Sequence, residues 1–180
     1  MACAYPLIDF YSGKRGDDKG RMIFEIQGWD DVMLEGCHDQ IQWMFPLPER
    51  SRFNPSAPLL TPDIIEQFRA DNDLKEMLRL SFKRMMIFYG LVVEPTGRIA
   101  VGPDFVIKSS WLTPDNHNHL RLTRIIRSLR LLGLEAESME LFKCLAVIWA
   151  NEIRTGQNRI TDETFQFWAE AVCSSIPITR

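Results

Sequence analysis

The chain has 180 residues, 46% of them hydrophobic and 25% charged, long enough for a full core and too ordinary in composition for a disordered or low-complexity segment. A net charge of −3 at pH 7 argues against a general nucleic-acid binder, which carries a basic footprint. The four cysteines, at positions 3, 37, 144 and 173, form no CxxC, so neither a disulfide framework nor a zinc ribbon is indicated and a reducing cytoplasm is the expected compartment.

The opening "MACAYPLIDFYSGKRGDDKG" lacks the charged-then-apolar order of a signal peptide. Residues 1–20 read as a mobile N-terminal arm, and 21–180 as a single helical domain. "RMIFEIQGW" predicts a short helix stopped near Gly28. "DDVMLEGCHDQIQWMF" predicts one continuous helix, capped by Asp30 or Asp31 and ended by Pro46, because Val32, Met33, Cys37, Ile41 and Met44 recur at helical spacing. On that helix Glu35, His38, Asp39 and Gln42 would share a face. The proline-rich stretch 46–61 has no period and predicts a long irregular connection, of a kind that is often functional, packed down through Phe53, Leu59 and Leu60.

Thr61-Pro62 starts the next helix. A longer one follows from Asp73, with Leu74, Leu78, Phe82, Met85 and Tyr89 on one stripe. "VVEPTGRIAV" predicts a β-hairpin turning at Pro95-Thr96-Gly97, and "GPDFVIKSSWL" a short helix. Thr113-Pro114 is the expected start of a helix that Gly133 ends. "EAESMELFKCLAVIWANEIR" predicts a long helix with Phe142, Leu145, Trp149 and Ile153 near one face, and Thr161 caps a last one. The most apolar run, "CLAVIWA", is far too short to span a bilayer. These elements combine into a mainly α fold, a single-domain orthogonal helical bundle of about six or seven helices with one small β-hairpin near 92–101.

Residues 116–133, "NHNHLRLTRIIRSLRLLG", hold four arginines and no acid. At about 100° per residue, Leu122, Ile125, Ile126, Leu129 and Leu132 form the core face, Arg124 and Arg127 lie opposite, and Arg121 sits at an edge. Leu120 and Leu131 near Arg124 suggest a sandwiched helix with partly buried arginines, each needing a carboxylate, carbonyl or anion. Internal partners such as Glu35, Asp39 or Glu140 compete with a ligand for that role. The tripeptide "HNH" at 117–119 offers no nuclease geometry, and three histidines without fixed spacing make no metal site. No phosphate-loop, nucleophile-elbow or zincin motif is present.

The blocks "LEGCHDQIQWMFPLPERSRFNPSAPLLT", "FYGL" and "NHNHLRLTRIIRSLRLLGL" closely resemble the opioid growth factor receptor conserved region. The matching positions are Trp29, Leu34, Glu35, His38, Ile41, Gln42, Trp43, Phe45, Pro46, Asn54, Ala57, Pro58, Leu60 and Thr61, then Phe88, Tyr89, Gly90, His117, Asn118, Leu120, Arg121, Thr123, Arg124 and Ile125. The resemblance covers about residues 22–150. Animal members are described as receptors for an enkephalin peptide, associated with the nucleus and its membranes.

The resemblance therefore implies a binding module for a peptide, a partner protein or a small anionic ligand, with no cofactor, metal or catalytic residue to carry over. Its expected site has His38, Gln42 and Asn54 approaching His117, Asn118, Arg121 and Arg124, with 46–61 as a rim and Trp43 exposed in an open groove. Two alternatives stand beside it. One is an enzyme using Glu35 and His38 with Arg121 and Arg124 as an anion clamp. The other is phosphate or nucleic-acid binding through the helix at 116–133.

Overall fold

The computed structural model describes residues 5–176. They form ten α-helices, one 3₁₀ helix and one two-stranded antiparallel sheet, a mainly α fold with a small hairpin, as the sequence predicts. Backbone packing divides them into two compact units, 5–84 and 85–176. The boundary falls inside one helix.

The first unit opens with α1 (Pro6–Tyr11), within the span expected as a mobile arm. Pro6 suits the first helical turn, and Leu7, Phe10 and Tyr11, at i, i+3 and i+4, are all buried. Tyr11 packs edge-on against Phe68, centroids 4.8 Å apart, and its hydroxyl donates to the Met44 carbonyl. The helix α2 (Ile23–Gln27) stops at Gly28 as expected.

The predicted continuous helix at 30–45 is two short ones, α3 (Asp31–Gly36) and α4 (Ile41–Met44). Gly36 is a weak helix former. Cys37 after it is extended, at φ −95 and ψ 125. Val32 and Met33 are consequently exposed rather than buried. The connection 46–60 is irregular, as predicted. Leu60 is buried, but Phe53 is 74% exposed, contrary to expectation. Next comes α5 (Pro62–Ala70), capped by Thr61.

The boundary helix is α6 (Asn72–Phe88), with the predicted stripe Leu74, Leu78, Phe82, Met85 and Tyr89 buried. Its start is held by Asp71, whose Oδ1 accepts from the Asp73 and Leu74 amides. The second unit begins at Met85. Gly90, just past the helix end, has φ +72. A Cβ there would come within 2.7 Å of the Phe105 Cα, so only glycine fits.

The hairpin pairs β1 (Leu91–Val93) with β2 (Ile99–Val101), Leu91 opposite Val101 and Val93 opposite Ile99. Gly97, at φ +85, supplies its turn. Then α7 (Phe105–Lys108) and the 3₁₀ turn Ser109–Trp111 lead to α8 (His117–Leu131).

The helix α8 starts later than Thr113-Pro114 because Asn116 is the cap, its Oδ1 accepting from the Asn118 amide at 2.9 Å. Leu122, Ile125, Ile126, Leu129 and Leu132 are fully buried, as predicted. Complete burial of each such side chain contributes about 1.5–3 kcal/mol. The long helix α9 (Glu135–Arg154) is rotated from expectation. Its buried stripe is Leu141, Cys144, Leu145 and Ile148, whereas Ile153 is exposed. Phe142 and Trp149 instead stack on Phe165 of α10 (Asp162–Val172). Among the described residues no helix is long and apolar enough to cross a membrane.

Candidate functional site

The expected site residues fall in both units. In the first, they gather around Asp39, in the break between α3 and α4. Arg21 Nη2 donates to Asp39 Oδ1 at 3.0 Å, and Lys19 forms a second ion pair with the same carboxylate. The Arg21 Nε also donates to Asp17 Oδ2 at 2.7 Å, and its Nη1 lies 3.2 Å from Cys37 Sγ. Asp17, whose side chain is fully buried, accepts as well from the Lys19 and Arg21 amides. Burial pushes the Asp39 carboxyl up, but hydrogen bonds from Lys19, Arg21 and Cys37 outweigh it and hold the group at about 2.

The neutral residues complete this cluster. Asn54 Nδ2 donates to the Asp39 carbonyl at 3.0 Å. Gln42 turns its amide nitrogen toward the same carbonyl, also at 3.0 Å, and accepts from the Ser51 hydroxyl at 3.2 Å. Trp43 Nε1 donates to Asp18 Oδ1 at 3.1 Å, and the Ser56 hydroxyl lies between Asp18 Oδ2 and Asn54 Oδ1. Gln42, Trp43 and Asn54 are all buried, so Trp43 does not line an open groove. Its ring packs on Phe10 instead, centroids 5.2 Å apart.

Together these bonds tie the 46–60 connection to α4 and to the 17–21 loop. They also answer main-chain carbonyls that a continuous helix would have used, which is why the helix breaks here. Glu35 stays on α3 while His38 falls in the break, so the predicted helical face for acid–base work does not form. His38 itself is exposed.

In the second unit Asn118 and Arg121 do come together. Arg121 Nη1 donates to Asn118 Oδ1 at 3.2 Å, and both residues are buried. The Tyr89 hydroxyl reaches the same oxygen at 3.4 Å. Trp111 Nε1 donates to the Tyr89 carbonyl at 3.2 Å. Arg124 is half-buried and His117 exposed.

Between this pair and α10 lies a residue that the motif reading passes over. His119, 4% exposed, stands edge-on between Trp111 and Trp168, with centroids 6.2 and 5.9 Å away. Its carbonyl accepts from Trp168 Nε1 at 3.1 Å. Burial lowers its pKa below 6.5 against an opposing bond to the Trp111 backbone, which keeps the imidazole neutral at pH 7. Nε2 is buried without a partner. The signal available in the sequence was its spacing: 119, 122 and 126 share the core face. Asp17 and Arg21 carry no such signal. Among the described residues no group of three His, Cys, Asp or Glu could hold a metal ion.

Residues 8–176 match the model of the opioid growth factor receptor (OGFr) conserved region. The chain belongs to the opioid growth factor receptor conserved-region family. The family match extends beyond the 22–150 recognisable by motif and takes in part of α1 and all of α10. The chain is 38% identical over 114 residues to the mouse opioid growth factor receptor, covering 61% of this chain and 18% of that protein. It is 37% identical over 136 residues to the human receptor, covering 72% and 20%. Mouse opioid growth factor receptor-like protein 1 is 36% identical over 115 residues, covering 63% and 25%. The aligned region therefore spans about a fifth to a quarter of these relatives' length. No solved structure matches.

Proposed function

We propose that this opioid growth factor receptor family domain is a binding module for a peptide, a partner protein or a small anionic ligand, with no catalysis inferred. The observation that carries this reading is the family match over 8–176, nearly the whole described chain, together with relatives whose names include the word receptor. In the second unit, Asn118 and Arg121 form a buried pair under the first two turns of α8. That pair supports His117 and Arg124 as the groups that meet a partner. In the first unit, His38 is the expected site residue that lies exposed, while Gln42 and Asn54 hold the break that carries it through the Asp39 carbonyl.

The test is calorimetric titration of the full chain with the opioid growth factor peptide, beside the corresponding region of the human relative, with melting temperatures followed in parallel. Saturable binding that raises the melting temperature, and that weakens on Arg124→Ala without loss of fold, supports the module. If the human region binds and this chain does not, peptide reception is excluded here. A screen of other peptides and anionic metabolites that also leaves the melting temperature unmoved would then sink the binding reading altogether.

A further inference from the structure

A groove of about 390 Å³ runs between β2 and α9. Its lining takes four successive residues from the hairpin, 98–101, and Lys143, Cys144, Val147 and Ile148 among others from α9. A groove on one face of the sheet would touch alternate residues, because successive side chains of a strand point to opposite faces. Contact with a consecutive run places this one along the outer edge of β2. The ladder fixes what the main chain offers there. The Gly102 amide donates to the Gly90 carbonyl and the Glu94 amide to the Arg98 carbonyl, both at 2.8 Å. With Val92 opposite Ala100, the bonded pairs alternate along the ladder as 90–102, 92–100 and 94–98. Ile99 and Val101 fall between them, so each turns its N–H and C=O away from β1, toward the edge that the groove follows. Among the described residues no hydrogen bond reaches these main-chain groups.

The side chains give the edge a polarity. Val101 and Val147, 53% and 71% exposed, form an apolar rim over buried Ile99 and Ile148. The strand Ile99–Val101 has neither a charge nor a proline to keep a partner strand off. Lys143 is answered by Glu140, with Nζ 2.6 Å from Oε1. Arg98 is exposed and has no acidic partner among the described residues. Its guanidinium lies near enough to Cys144 to oppose the burial that pushes that thiol up to about 11. The groove therefore carries one unbalanced positive charge at the end where β2 begins. An open strand edge flanked by a helix is the geometry in which an extended peptide adds a strand: main-chain bonds hold it and alternate side chains select it.

We propose that an extended segment of another protein adds to β2 as a third strand, its main chain answering Ile99 and Val101, its alternate apolar side chains covering Val101 and Val147, and an acidic residue meeting Arg98. A small apolar molecule would fill the volume and leave the main-chain groups unanswered. A second copy of this chain would bring another Arg98 to the edge in place of the acid. The surface is apart from His117 and Arg124 on α8, and the inference does not rest on the receptor reading.

The experiment titrates the ¹⁵N-labelled full chain with the blocked hexapeptide acetyl-Asp-Val-Thr-Val-Thr-Val-amide. A second arm replaces its aspartate by lysine, and a third methylates its valine nitrogens, which keeps the side chains and blocks strand pairing. Saturable shifts and slowed exchange of the Ile99 and Val101 amides are expected, while the Ala100 amide, already bonded to β1, changes little. The first peptide should bind at least about tenfold tighter than the methylated one and several-fold tighter than the lysine one. Arg98→Glu, at an exposed position, should reverse the order of the aspartate and lysine peptides. Val101→Pro removes one outward donor and no ladder bond, and should abolish binding; if it fails to fold, Val147→Lys on exposed α9 surface tests the rim instead and should weaken it. The proposal is overturned if no peptide saturates, if the methylated peptide binds as tightly as its parent, if the Ile99 and Val101 amides stay unmoved, or if Arg98→Glu leaves the order unchanged. Shifts of those two amides with protein concentration and no peptide would assign the edge to a second copy and overturn it as well. Because the readout lies on β2, failure here leaves the α8 residues of the receptor reading untouched.

Discussion

The polar clusters of the two units solve the same problem by different means. Around Asp39, a buried carboxylate network is balanced by Arg21 and Lys19, and the neighbouring amides of Gln42 and Asn54 spend their bonds on main-chain carbonyls. Around His119, neutrality does the work: an uncharged imidazole sits between two tryptophans and a buried Asn118–Arg121 pair lies alongside. The first arrangement fixes a long loop and has its bonding capacity consumed. The second keeps one buried acceptor atom, His119 Nε2, unanswered. Buried polar groups are thus accommodated by charge pairing in one half of the chain and by loss of charge in the other.

The comparison is broken most severely at Trp168, which is fully buried and holds the His119 carbonyl. Trp168→Ala should cost about 3–5 kcal/mol, read by urea denaturation with residue-resolved detection, and should loosen the second unit first. Arg21→Ala should come next, at about 3 kcal/mol, because it leaves buried Asp17 without its cation. Its loss should appear in the amides of 37–56; an undisturbed 46–60 loop would show that the ion pairs do not hold it.

Acid should separate the units. Asp39 in the folded chain titrates at about 2, below the roughly 3.9 of an unfolded aspartate. Its contribution is complete above pH ~4 and fades as pH falls through about 2, a loss of about 1–2 kcal/mol once solvent screening is allowed for. The folded His119 takes up its proton less readily than the ordinary 6.5, so the unfolded state binds protons first and the second unit weakens as soon as pH drops below that value. Residue-resolved stability at neutral, mildly acid and strongly acid pH checks the order; a first unit that fails before the second contradicts it. The smallest effect expected is Asn116→Ala, about 1 kcal/mol from a lost N-cap, seen as fraying of the α8 first turn.

Periodicity revealed the long elements well. The α6 stripe and the α8 core face are where spacing puts them, because tertiary packing there agrees with local pattern. The 30–45 segment misleads because its apolar spacing fits one helix, while the bonds that divide it come from Asn54 and Arg21, distant in sequence and invisible to a local window. Turn and cap residues such as Thr61 and Thr161 were legible for the opposite reason, since their partners lie three residues away. Of the candidate site, the pairing of Asn118 with Arg121 follows from their i, i+3 spacing. The burial of Trp43 does not follow, because Phe10 and Asp18, which receive its ring and its N–H, lie in a stretch that reads as an arm.

The backbone at Gly90 carries a last implication for the Phe-Tyr-Gly signature. The left-handed turn and the near approach of Phe105 make that position intolerant of any side chain, however small. Sequence drift through this corner is therefore blocked by geometry. A signature glycine of this kind reports on descent and architecture rather than on recognition.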